Sequence, residues 1–397
     1  MTATVFVHHH LPEKLQVMPI PLRILKRIGF WGSPKLFYRY VVLLCYNSAV
    51  ILVPMAFFGF GSDHFHLIAK GISEFLYVFI GITVTSIFAS HRRTFEQVVY
   101  GLNNIFYTVT VGNRCAESAE LIAKVNKKLT LFIKLIILYN KYGALSFCMK
   151  SVAISHWRYW TTKVANNTDS VIFELPTEQE FYGLQNRSNF VHYHIFVTFS
   201  IFAYFIVALF SFIKITTTVC MIRYSSLTFQ LVILRVQKLA QKHVTITDLK
   251  EVVDLHGQAC NIALLIEKIC NIPIALEFLN CVLFWCAALF YLTQTIDSGL
   301  FNMLIIFLLS VVEIFTYSYL GSELSEQASA VGKAFFDLPW HEHPAELQRY
   351  YRLIIQRTQR PTVITGVRFF VVELASFTRV VNLSYSFCLV LKNILHQ

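Results

Sequence analysis

Charge is what this chain has least of. Asp, Glu, Lys and Arg make up 14% of its 397 residues, against roughly 25% in soluble domains. Hydrophobic residues make up 55%, and the mean hydropathy is +0.55. That balance excludes an ordinary water-soluble domain. Short alternating segments of the kind a spanning barrel needs are also missing. The apolar runs are instead about 20 residues long, enough for a helix to cross about 30 Å of hydrocarbon. Helices and closed barrels are the structures that satisfy every backbone group in lipid, so the expected fold is an all-α membrane protein.

Other absences narrow the function. No basic segment followed by an apolar one opens the sequence, so the first span is expected to act as its own insertion signal. The nine cysteines contain no CxxC pair, and none falls in residues 156–190, which argues against a disulfide framework. There is no phosphate-binding Walker loop, no GxSxG and no carboxylate pair with a base, so no enzyme, catalytic residue or cofactor is expected. His8-His9-His10 reads as a terminal tail. His341-Glu342-His343-Pro344 lacks the spacing that puts two His residues on one helix face, and its Pro breaks a helix. No metal is expected at either. With no internal repeat or low-complexity linker, residues 1–397 read as one domain.

What is present is a series of spans. Residues 41–60, 71–90, 195–213, 278–296 and 300–320 carry at most one charge each, Glu74 in the second and Glu313 in the last. Two further stretches are more polar: 135–154 holds Lys141 and Lys150, and 362–391 holds Arg368, Glu373 and Arg379. Seven spans sort the Lys and Arg residues unevenly. Twenty-five fall on one side, Lys214 among them, and only Lys70, Arg158, Lys163 and Arg187 fall on the other. Positive charge stays in the cytoplasm, so the N-terminus is expected inside and the C-terminus outside. The net charge of +11 is then a property of cytoplasmic loops and calls for no nucleic-acid partner. The outer loop carries two glycosylation sequons, with Asn166 and Asn186 as the acceptors.

The inner segments 91–130, 215–275 and 321–360 have helical apolar spacing. Leu227, Leu231, Leu234, Val252, Leu255, Ile262, Leu265 and Ile266 form faces that need a partner. Long helices extending the spans and packing below the membrane are expected. In the outer halves of the spans, aromatics crowd together: Phe75, Tyr77, Phe79, Phe147, Phe196, Phe199, Phe202, Tyr204, Phe290, Tyr291 and Phe301. Small apolar ligands bind in such surroundings, oriented by a few polar groups; Glu74, Ser151, Ser155, His156, His192 and His194 are candidates. Helix packing and interface anchoring explain the same aromatics. Glu74 and Glu373 are either paired for structure, for instance with Lys141, Lys150 or Arg379, or in contact with ions or ligand. Charges within a span usually face a bundle interior or a water-filled path, so the polar-dotted last helix is a pore candidate.

The last third of the chain carries a motif set. It comprises Gly321, Leu324, Ser329, Val331-Gly332, Ala334, Pro339-Trp340, Arg357-Thr358-Gln359-Arg360-Pro361, Thr365-Gly366, Ser384-Tyr385-Ser386-Phe387 and Leu391-Lys392. In this it resembles the insect odorant receptor family. Phe336 and Cys388 depart from the residues that family often has, Tyr and Thr. A seven-span receptor coupled to G proteins fits less well, because the orientation is inverted and the D-R-Y and N-P-x-x-Y motifs are missing.

The resemblance implies a subunit of an odour-gated, non-selective cation channel, a heterotetramer with a shared coreceptor, in the plasma membrane of sensory dendrites. The coreceptor's long extra cytoplasmic insertion is not found, which implies a tuning subunit. Its partners would be a small volatile odorant, the coreceptor, the lipid bilayer and permeating cations. The inner helices would form a cytoplasmic anchor. The last helix would line the pore, with Tyr385, Cys388, Leu389 and Lys392 at the gate. Joined to the aromatic cluster, it gives an expected binding set of Phe75, Tyr77, Val78, Met149, Val152, His156, Phe196, Phe199, Tyr291 and Phe301. A metabotropic seven-span chemoreceptor and a gustatory-type channel of the same superfamily are the alternatives.

Overall fold

The computed structural model describes residues 11–60, 64–112, 115–164, 171–240, 244–294 and 299–395. They are almost wholly helical. A short α1 (Pro19–Arg27) precedes α2 (Phe37–Asn47), which runs through a π-helical turn at Ser48–Leu52 into α3 (Val53–Phe57). Then come α4 (Phe65–Ser90), α5 (Arg92–Tyr107), α6 (Ala116–Val164), α7 (Phe190–Leu239), α8 (Ile246–Gln294) and α9 (Gly299–Phe336). The chain ends with α10 (Ala345–Thr358), a hairpin of β1 (Thr365–Gly366) and β2 (Phe370–Val371), and α11 (Leu374–Leu395). Among the described residues, six helical stretches are long and apolar enough to cross a membrane: Pro34–Phe57, Phe65–Ser90, Phe190–Leu239, Ile246–Gln294, Gly299–Phe336 and Leu374–Ile394. The expected stretch 135–154 lies within α6, a continuous helix of 49 residues packed along α7.

Helices α6 to α9 are far longer than their apolar runs. The 50 residues of α7 correspond to about 75 Å at 1.5 Å per residue. One end of this bundle is covered by the 171–189 loop; we call it the loop end and the other the stalk end. At the stalk end Leu227, Leu231, Val252, Ile262 and Ile266 are all buried, as their helical spacing predicts. The N-terminal segment is pinned there. The Asn126 amide of α6 donates to the Lys14 and Gln16 carbonyls at 2.9 and 3.1 Å, and Tyr224 of α7 donates to Asn126 Oδ1 at 2.8 Å.

Two expectations fail here. The last span is not one helix from residue 362. Thr362, Val363, Ile364 and Thr365 are β-branched and favour extended backbone, and Val367 and Arg368 take left-handed φ values of 48° and 60°. The segment therefore turns back as the β1–β2 hairpin, with Thr365 pairing Val371, and α11 starts at Leu374. Glu373 thus precedes the helix, and Arg379 is exposed along it. The hairpin docks on α8, where Thr365 Oγ1 donates to Glu267 Oε1 at 3.0 Å and the Val367 amide donates to Asn271. On α9, Gly321 is required: a methyl group built there would overlap the Val372 carbonyl oxygen.

Lys214 is the second correction. Reading it as a loop cation placed it after a span, but it lies inside α7 with its side chain 3% exposed. Its Nζ sits 2.5 Å from Glu277 of α8 and 3.0 Å from Glu313 of α9. Tyr317 donates to the same Glu313 at 2.7 Å. A buried ammonium needs such partners, and the two carboxylates come from helices distant in sequence.

Candidate functional site

Towards the loop end, α4, α6, α7 and α9 surround a cavity of about 70 Å³. Glu74, Tyr77 and Val78 line it from α4, Tyr139, Asn140, Gly143, Ala144 and Phe147 from α6, Tyr204, Val207 and Ala208 from α7, and Ile305, Ile306 and Leu309 from α9. Gly143 and Ala144 keep α6 slim where the cavity opens. Phe147 stands edge-on to Tyr204 with centroids 5.5 Å apart.

The polar atoms of the wall are mostly committed to the protein itself. Tyr77 donates to Ser211 Oγ at 3.1 Å, Tyr139 donates to the Ile305 carbonyl at 2.6 Å, and the Asn140 amide donates to the Ile136 carbonyl at 3.0 Å. A surface with its hydrogen bonds internally satisfied suits an apolar guest, since burying unpaired polar groups against such a guest costs free energy.

The roof is the 171–189 loop, which is drawn into the bundle rather than left over it. Thr177, Glu178 and Gln179 are 3%, 5% and 0% exposed. Thr177 lines the cavity and shares a 2.7 Å hydroxyl bond with Tyr204. The Glu178 amide donates to Glu74 Oε2 at 2.8 Å. The Glu178 carboxylate takes Lys70 on one oxygen at 2.9 Å and Arg187 on the other at 2.5 Å. Burial pushes the Glu178 carboxyl upward, but the Lys70 and Arg187 charges outweigh it and hold it below the ordinary value. The membrane-depth Glu74 therefore pairs with the loop and neighbours Lys70, not Lys141 or Lys150. Lys141 is exposed, and Lys150 lies over the Phe301 ring at 5.8 Å. At the far side of the loop, Asn189 caps α7, accepting from the Val191 and His192 amides at 2.9 and 3.2 Å.

Of the expected binding set, Tyr77 and Val78 line the cavity. Phe75 stacks on Phe79 instead, with centroids 5.8 Å apart. Phe196 is fully buried against Phe181 of the loop, and Tyr291 is buried within α8. Val152 and His156 are half-buried and lie further along α6 than the cavity wall. Met149, Phe199 and Phe301 are 53%, 47% and 51% exposed and point out of the bundle. The residues missed were Tyr139, Asn140, Gly143, Ala144, Thr177, Val207, Ala208 and the α9 wall. The α6 members follow three- and four-residue spacing with Phe147 and were legible as one helix face. Thr177 had no signal.

The expected gate residues separate as well. Cys388 is 6% exposed and packs with Ala69, Cys286 and Phe290 of its own bundle. Tyr385 and Leu389 are 58% and 43% exposed, and with Lys392 they form an outward stripe on α11. Cys388 lies at the buried edge of that stripe, one turn from both Tyr385 and Lys392. Of the sequon acceptors, Asn166 lies outside the described residues. Asn186 is 4% exposed and its amide donates to the Gln179 carbonyl at 3.2 Å, so it is not available to a glycan in this fold.

Three comparisons bear on this architecture. A family model described as "7tm Odorant receptor" matches residues 64–385. The chain is 26% identical over 144 residues to putative odorant receptor 92a of Drosophila melanogaster, covering 36% of this chain and 35% of that protein. It is 27% identical over 150 residues to odorant receptor Or2 of Anopheles gambiae, covering 37% and 39%. The aligned stretches thus span little more than a third of those relatives. Its fold is similar to the solved structure of the insect olfactory receptor OR5 from Machilis hrabei in complex with eugenol. The TM-score is 0.73 at 15% identity, over 94% of this chain and 97% of that one.

Proposed function

This chain belongs to the insect odorant receptor family, a family of multi-pass membrane receptors and not of enzymes, and we propose that it is the odour-binding subunit of a heteromeric, ligand-gated, non-selective cation channel. The observation that carries this reading is the apolar cavity roofed by a buried loop. It suits a small volatile molecule held by contact area rather than by charge. In this reading α6 supplies the seventh span, the charge bias sets the N-terminus in the cytoplasm and the C-terminus outside, and the stalk end is the cytoplasmic anchor.

The wall of the cavity and the last helix are joined by packed side chains. Ile305, Ile306 and Leu309 of α9 line the cavity. Next to Leu309 on α9, Ser310 accepts from Trp285 Nε1 at 2.8 Å. Trp285 and Phe315 both stand edge-on to Phe377 of α11, with centroids 6.3 and 5.5 Å apart. An odorant that fits the cavity better in one position of α9 shifts the population towards that position, and α11 follows through Phe377. The exposed stripe of Tyr385, Leu389 and Lys392 then faces the conduction path, where an apolar constriction gates by dewetting.

The test is expression in cells with and without an odorant receptor coreceptor, recording currents to a panel of volatiles with G-protein signalling blocked. Current that needs the coreceptor and survives the block is expected. Responses abolished by the block would favour a metabotropic receptor, and currents independent of the coreceptor would favour a gustatory-type channel.

A further inference from the structure

Two histidines outside the cavity face each other in an arrangement that neutral rings alone do not favour. His156 lies on α6 and His194 on α7, both half-buried near the loop end. His156 Nδ1 is 2.8 Å from the Val152 carbonyl, and His194 Nδ1 is 2.7 Å from the Phe190 carbonyl. A carbonyl oxygen only accepts, so each Nδ1 must carry a proton. A neutral imidazole has one N–H, which leaves a lone pair on each Nε2. These two Nε2 atoms are 3.1 Å apart. Two lone pairs at that separation repel unless a cation lies between them.

We propose that His156 and His194 form a binding site for a divalent transition-metal ion of the zinc or copper type, tying α6 to α7 beside the roof of the cavity. The distances suit such an ion. With metal–nitrogen bonds of about 2.0–2.1 Å, a separation of 3.1 Å gives a nitrogen–metal–nitrogen angle of about 100°, between octahedral and tetrahedral values. Nδ1 donation to a backbone carbonyl is the outer arrangement that fixes the tautomer and aims Nε2 at a metal. The rings are held in place: Phe190 packs on His194 with centroids 4.1 Å apart, and the two imidazoles stand at 84° to each other. Among the described residues no group of three or more His, Cys, Asp and Glu could hold a metal, so the other coordination positions go to water. The ion would exchange with the surroundings rather than act as a permanent structural part.

Its position gives it leverage. Ser155 and Tyr193, the neighbours of the two histidines, both hold the Glu174 carbonyl of the loop, at 3.2 and 3.4 Å. The cavity residues Phe147 and Tyr204 lie nine and ten residues further along the same two helices, about 14–15 Å. A metal bridge would stiffen the α6–α7 contact and the loop anchored to it, and so alter access to the cavity.

The test is direct binding. The full-length receptor is purified into lipid nanodiscs, stripped with a chelator and titrated with Zn²⁺ by calorimetry at neutral pH. One ion per chain is expected, with His156→Gln and His194→Gln each weakening binding by more than about tenfold. His192→Gln serves as a control, because His192 Nδ1 accepts from the Gln185 amide at 3.2 Å, and it should bind as the parent does. Co²⁺ should show ligand-field bands in the parent and lose them in both variants. Absence of binding, binding unchanged by both substitutions, or an effect of pH alone with no response to metal would overturn the proposal. None of these outcomes depends on which odorant the receptor detects.

Discussion

Replacing Lys214 by Met should damage this protein more than any loss of a surface charge could. The Lys214 ammonium lies 2.5 and 3.0 Å from Glu277 and Glu313, with the three side chains 3%, 4% and 1% exposed. Methionine has similar length and packs well, so the substitution isolates the charge. It leaves two carboxylates facing each other in a dry interior, one of them still bonded to Tyr317. Breaking a buried ion pair by removing one partner costs about 3–5 kcal/mol, which is roughly two to four orders of magnitude in the folded population. Replacing all three by apolar residues removes the desolvation cost together with the attraction, and such exchanges are often neutral or stabilising by about 1–4 kcal/mol. The expected order of melting midpoints, read by fluorescence size-exclusion after heating, therefore has Lys214→Met lowest. The triple variant with Glu277→Leu and Glu313→Leu should lie near or above the parent. A Lys214→Met protein that melts with the parent would refute the reasoning, as would a triple variant damaged as badly as the single one.

Other consequences can be checked in the same systems. Ala144→Phe should fill the cavity and abolish odour-evoked current, at an overpacking cost of about 1–3 kcal/mol, with surface biotinylation unchanged; retained potency would exclude the cavity as the binding site. Because the Glu178 carboxyl is held below its ordinary value of 4.5, its contribution to stability is complete above that pH and is lost as pH falls from there through the folded value. Melting scans should show that loss, and Glu178→Gln should flatten it. Gly321→Ala should force the hairpin off α9 and cut surface expression severalfold, measured by flow cytometry. In a Cys45→Ser background, cysteines placed at Tyr385, Leu389 or Lys392 should react with water-soluble thiol reagents and change the current, whereas the background receptor with its buried Cys388 should keep its current.

The helices were legible because apolar content and length decide them, and one residue hardly alters either. The spacing of Leu227, Leu231, Val252 and Ile262 foretold the stalk, since water forces such faces together. What escaped was whatever depends on partners distant in sequence. Lys214 stands beside an uncharged run and reads as the first residue of a loop; only Glu277 and Glu313 make it an interior residue. The Thr177–Gln179 turn is polar and reads as an exposed loop, yet the charges of Lys70 and Arg187 draw it inward. Tyr77 was legible beside the cavity because aromatic crowding is local, whereas Val78 entered only with the family resemblance. Phe199 and Phe301 lie on the outer faces of the bundle, and composition does not say which side of a helix turns inward. Cys388 lies one residue from Leu389, and that 100° turn separates packing on its own bundle from exposure.

The length of α7 divides the molecule into two thermodynamic regimes. Of about 75 Å of helix, hydrocarbon covers about 30 Å. Within the bilayer the tails are as apolar as leucine, so helices are held there by shape, hydrogen bonds and ion pairs. In the proposed topology the stalk stands in water, where burying Leu227, Phe229, Leu231 and Val232, each 0% exposed, releases hydration free energy and carries a large heat-capacity change. The base therefore responds to temperature and denaturant as a soluble helical bundle does, while the part around the cavity does not.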